Sequence, residues 1–153
     1  MNRLSFLKIK FCTLLFLLFA TINCFAQPTA QLGDIKVFVI GLHNNSGIVK
    51  IGLYNTKESY SSRGLLPAFR SAKVDAKEKG VEYTFFQVPY GEYTIKLFHD
   101  ENINQKVDKN ALGIPKERYG FSNNPKVFLG LPDYKKSKFV LASKEIVLAI
   151  KVK

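Results

Sequence analysis

At 153 residues the chain has room for one domain, and 23 lysines and arginines against 12 acids leave it at +11. That surplus is spread along the sequence, its densest group being Lys135, Lys136 and Lys138. The absence of a basic stripe argues against a nucleic-acid reader and favours a plain solvated basic surface, weak attraction for anionic lipids or glycans being the alternative.

The first 26 residues read as a secretory signal peptide. Asn2, Arg3, Lys8 and Lys10 give a polar, positive start without an acid. Phe11 to Ile22 is apolar to weakly polar, and Cys24-Phe25-Ala26 places small residues three and one before a cut preceding Gln27. A bilayer span needs roughly 20 apolar residues, so the short run speaks against a membrane anchor. Lipidation at Cys24 is a minor alternative, because Asn23 is a poor neighbour for it. Removal of this leader takes away Cys12 and Cys24, the chain's two cysteines, and leaves 20 bases against 12 acids. The remaining domain, 27–153, is expected to be soluble, not transmembrane, and to fold without disulfides or cysteine-bound metal. The expected localisation is export, to the periplasm, the cell surface or the medium.

Period-two alternation dominates the chain beyond the leader. Ile35 to Leu42 is apolar on both faces and predicts a central strand. Asn44-Asn45-Ser46-Gly47 predicts a tight hairpin into Val49, Ile51 and Leu53; Asn44-Asn45-Ser46 also has the form of a glycosylation acceptor. Segment 55–80 predicts a short edge element at Leu65 to Phe69, a strand over Phe69 to Ala76, and a charged turn to Gly80. Val81, Tyr83 and Phe85 alternate, Pro89-Tyr90-Gly91 turns the chain, and Tyr93, Ile95 and Leu97 alternate again. Lys138 to Ala142 and Ile146 to Val152 complete about seven strands. With no sustained helical period and no repeat, the expected fold is all-β: a single antiparallel β-sandwich, prealbumin- or immunoglobulin-like, with one long loop at 99–137.

That loop is chemically unlike the rest. Asp100, Asn102, Asn104 and Asp108 carry oxygens at offsets one, three, five and nine of a calcium loop, and Lys106 at offset seven needs only its carbonyl. Gln105 replaces the usual glycine at offset six, and Ala111 stands where a glutamate closes the shell, so Glu117 would have to reach in. With two carboxylates the affinity would fall at roughly 10⁻⁴ to 10⁻³ M. The competing reading is a metal-free loop in which Asp and Asn bond their own backbone.

The strings HDEN at 99–102, Asp108, Gly113-Ile114-Pro115, Glu117 and YGFSNN at 119–124, with Val88 to Tyr93 ahead of them, resemble an exported bacterial family known as domain of unknown function 2141. The resemblance runs from about Ile35 to Val152. It implies export and a prealbumin-like β-sandwich, and no known reaction. Members typically carry glycine near positions 103 and 105, where this chain has Ile103 and Gln105.

Tyr119, Phe121, Ser122, Asn123 and Asn124 mix aromatics with amides, a composition that stacks on sugars or, alternatively, forms the loop's own small core with Phe128, Leu129 and Leu131. Catalytic signals are sparse: two histidines, His43 and His99, and no Gly-x-Ser-x-Gly string. His99 beside Asp100, Glu101 and Asp108 offers a hydrolase alternative. The leading expectation is a non-catalytic binding or accessory module of the cell envelope, with His99, Glu117 and 119–124 as a recognition loop. Its partners would be glycans, lipids or a protein, and its one candidate cofactor is calcium.

Overall fold

The computed structural model describes residues 30–62, 67–127 and 130–153. The leader at 1–26 lies outside the described residues, as do 65 and 66 of the expected edge element, and Phe128 and Leu129. Residues 67–69 precede a strand rather than forming an element of their own. Gln31–Lys153 is one compact unit.

Among the described residues eight strands form two sheets: β1 Leu32–Ile40, β2 Ile48–Tyr54, β3 Arg70–Asp75, β4 Val81–Pro89, β5 Gly91–Asp100, β6 Tyr119–Phe121, β7 Phe139–Leu141 and β8 Glu145–Lys151. One sheet has the order β4-β1-β8. The other has the order β3-β2-β5-β6, with β7 also pairing β5. The all-β sandwich is therefore as expected, with β1 central between β4 and β8, although it fully buries only the face carrying Ile35, Val37 and Val39 rather than both. Facing them are Val49, Ile51 and Leu53 of β2 and Ile95 and Leu97 of β5. Each such aliphatic side chain contributes about 1.5–3 kcal/mol on full burial.

Pairing differs from expectation in two places. Asn44 to Gly47 does not close a hairpin, because β1 and β2 belong to different sheets; the segment is a sheet-to-sheet link. The turns at 76–80 and 89–91 likewise carry the chain from one sheet to the other. In addition β8 runs parallel to β1, with Ile35 opposite Ile146 and Val39 opposite Ile150, whereas β1 and β4 are antiparallel.

Two short helices were not foreseen, since neither is long enough to show a period. Thr56 caps α1 (Lys57–Ser61) by accepting the Ser59 N–H, and Asp133 caps α2 (Tyr134–Ser137) by accepting the Lys135 N–H. They meet through Tyr60, fully buried, whose ring lies 5.6 Å from that of Tyr134.

Candidate functional site

The expected loop at 99–137 is not a single loop. Strand β5 continues through His99 and Asp100, which lie opposite Val49 and Ile48 of β2, and β6 returns to pair with β5 at Lys96, Leu97 and Phe98. The β1–β2 link packs tightly against this strand end. A Cβ built on Gly47 would stand 2.0 Å from the Asp100 carbonyl oxygen, and the φ of +74° there favours glycine independently.

Asp100, Asn102, Asn104 and Asp108 do come together. The buried Asp100 carboxylate accepts the N–H groups of Asn104 at 3.1 Å and Gln105 at 2.8 Å. Asn102 accepts from the Asn104 N–H, and Asn104 from the Lys106 N–H. With their oxygens so used, the two amides donate to the two oxygens of Asp108, at 2.7 and 2.9 Å. Ile103 and Gln105 have φ of 58° and 65°, the left-handed conformation that glycine adopts without strain.

Glu117 reaches the loop, though not as a closing ligand. Its carboxylate, almost fully buried, accepts the N–H of Glu101 at 3.2 Å and of Asp108 at 3.1 Å, clamping the two ends of the oxygen-rich turn. Burial raises the pKa of this group, partly opposed by those two N–H donors and assisted by the charges of Asp100 and Asp108. Lys50 donates to the Gln105 carbonyl and Lys73 to its side-chain oxygen. Beyond Asp108 a bridge between Lys109 and Pro115 closes a small hairpin, with Asn110 accepting the N–H groups of Leu112 and Ile114. At its tip Leu112 is 83% exposed and Ile114 49%.

His99 is fully buried, and its Nε2 lies 2.7 Å from the Ser46 carbonyl, so the imidazole named in the hydrolase alternative is not exposed. Glu101 sits between the two histidines, 3.3 Å from His43 Nδ1 and 3.9 Å from His99 Nδ1. Its pKa is lowered, first by the hydrogen bond from Asn44 and then by His43 and the charges of both rings, with burial opposing. Among the described residues no three His, Cys, Asp or Glu side chains stand arranged for a metal ion.

The aromatic and amide residues divide. Buried Ser122 accepts the Ile95 N–H and donates to the Ser137 carbonyl. Asn123 donates to the Lys138 carbonyl. Asn124 donates to the Ala149 carbonyl and accepts the Lys151 N–H, adding one residue's worth of pairing to β8. Phe121 is buried against Tyr119, the ring centroids 5.7 Å apart. Tyr119, half-buried, lines an open groove of about 350 Å³ with Phe121, Asn124, Pro125 and Lys126. Ser122, Asn123 and Asn124 thus pin the loop to the sheet, while Tyr119, Asn123 and Asn124 keep exposed surface.

The family model described as "Uncharacterized protein conserved in bacteria (DUF2141)" matches residues 37–148, from within β1 to within β8, and takes in the whole oxygen-rich loop. The chain belongs to that family. No curated protein and no solved structure matches it. Sequence reasoning missed His43, Asn44 and Ser46 as neighbours of the loop; their turn-forming composition gave no sign that the link would fold against β5. No helix among the described residues is long and apolar enough to cross a membrane.

Proposed function

We propose that the protein is an exported, non-catalytic binding module of the cell envelope, in which the turn at 100–108 takes up calcium weakly and steadies the hairpin beyond it. The observation that carries this reading is the convergence of Asp100, Asn102, Asn104 and Asp108 in one turn that leads directly into a tip with Leu112 and Ile114 exposed. Lys109 and Lys116, both exposed, flank that tip. An apolar tip between cations suits an anionic lipid surface, where the apolar groups enter the interface and the lysines meet headgroups.

The weak affinity follows from the amides. In the closed turn their N–H groups neutralise Asp108, so calcium must turn both over before their oxygens can serve as ligands. The number of charged ligands, two, sets the same range. The test is thermal denaturation of the purified protein in chelator and in millimolar calcium, followed by sedimentation with vesicles of anionic and of neutral lipid. A calcium-dependent rise in melting temperature that Asp108→Asn abolishes, with anionic vesicle binding that Leu112→Glu abolishes, is expected. An unchanged melting temperature refutes the calcium step. Equal binding to neutral vesicles, or none to either, refutes the lipid step.

A further inference from the structure

The groove beside β6 is framed by segment 119–124 and by segment 149–153, and two ties fix the frame. Tyr119 and Lys153 exchange both backbone N–H···O bonds, at 3.2 and 3.1 Å. Asn124 then bonds the Ala149 carbonyl and the Lys151 N–H. Gly120 lets the segments close up, since a Cβ there would stand 2.9 Å from Ile150 Cγ2 and 3.1 Å from the Lys151 carbonyl oxygen. Val152 is buried, so period-two alternation leaves Lys151 and Lys153 exposed on either side of it. Lys126, also exposed, joins them from just beyond Asn124.

Three cations therefore line one groove whose wall holds no acidic side chain. Among the described residues none of the three is in an ion pair, whereas Lys36 has Glu82 and Lys138 has Glu92. Like charges held together favour an anion arriving from outside. Tyr119, half-buried, adds a ring with an apolar body and a hydroxyl tip, a pairing that matches a sugar. Asn124 gives one amide N–H to Ala149 and has a second to offer.

We propose that this groove binds an acidic polysaccharide, one sugar ring against Tyr119 and the chain's carboxylates at Lys126, Lys151 and Lys153. Its volume of about 350 Å³ stands at the small end of ligand sites, about 300–1,000 Å³, and takes a short stretch of a longer chain. An acidic peptide fits less well. It would add to a strand edge, and the outer edge of β6 is already taken by Lys153. An acyl chain needs an enclosed slot, and this groove is open. The site shares no residue with the calcium turn or the hairpin tip.

The experiment is calorimetric titration of the protein with alginate oligosaccharides, in chelator so that the calcium turn stays empty. Dextran is the neutral control and polyglutamate the peptide one. Alginate is expected to bind in preference to both, and more weakly as salt is raised. Tyr119→Leu, which keeps the burial and removes the flat ring, should weaken binding about ten-fold. Lys126→Gln combined with Lys151→Gln should do the same, and both positions are exposed, so that variant stays folded. Leu112→Glu, which removes vesicle binding in the reading above, should leave alginate binding intact. Equal binding of dextran, tighter binding of polyglutamate, loss in Leu112→Glu, binding undiminished in the groove variants, or none at millimolar alginate overturns the inference.

Discussion

Glu117→Ala isolates the clamp that closes the oxygen-rich turn. The wild-type carboxylate accepts two backbone N–H groups, from Glu101 at 3.2 Å and Asp108 at 3.1 Å. Both are longer than the 2.7–2.9 Å of strong charge-assisted bonds. Each therefore belongs at the lower end of the range for bonds to a charged group, about 1.5 kcal/mol, and the pair at about 3 kcal/mol. Burial of the carboxylate works the other way, as its raised pKa shows. Relief of that cost offsets part of the loss, leaving a net loss of about 2 kcal/mol. For a domain of this size that corresponds to a fall in melting temperature of roughly 5–10 °C. Urea denaturation gives the free energy, and hydrogen exchange at the Glu101 and Asp108 amides gives the location. A loss confined below about 0.5 kcal/mol, the level of an ordinary surface change, refutes the clamp. So does unchanged protection at those two amides.

Ile103→Gly should stabilise the protein by about 1 kcal/mol in urea denaturation, because a β-branched residue at φ 58° is strained and its side chain is 57% exposed; a destabilised variant would contradict this. Gly47→Ala should destabilise by roughly 3 kcal/mol or more, since the new methyl adds left-handed strain to an overlap with the Asp100 carbonyl. Equal stability would mean that the link yields freely. Asn102→Asp adds a carboxylate to the turn and should tighten calcium binding about ten-fold by titration, a gain that charge count predicts. Lys96 lies over the Tyr54 ring at 4.1 Å, and burial lowers its pKa to about 8. Its charged form is the disfavoured one in the folded state, so stability should rise as pH climbs from about 8 towards the unfolded value of 10.5. Lys96→Met should flatten that rise in urea midpoints measured across the same window.

The alternation that marks strands was plain in residues such as Val49, Ile51 and Leu53, because one face of each strand is buried and the other wet. Partner choice was not. Asn44 to Gly47 has the composition of a hairpin, but turn residues specify only that the chain reverses, and the same residues serve a link between sheets. The parallel pairing of β8 with β1 depends on contacts across most of the chain, for which no local signal exists. At the site, the spacing of Asp100, Asn102, Asn104 and Asp108 was legible because a turn brings close neighbours together. The roles of Ser46, Lys50 and Lys73 were not, because the fold alone brings them to the loop. Ser122, Asn123 and Asn124 read equally well as ligands for sugar hydroxyls, since backbone carbonyls call for the same amide and hydroxyl chemistry.

The place of β1 between β4 and β8 also governs when the chain can finish folding. Ile35 meets Phe85 on one side and Ile146 on the other, so the earliest strand waits for nearly the last one. Contacts so far apart in sequence make for slow folding, because the loop must be closed before any pairing rewards it. A growing chain therefore stays open until its final strand is made. The same topology that makes the finished sandwich whole keeps the unfinished one pliable until β8 can dock beside β1.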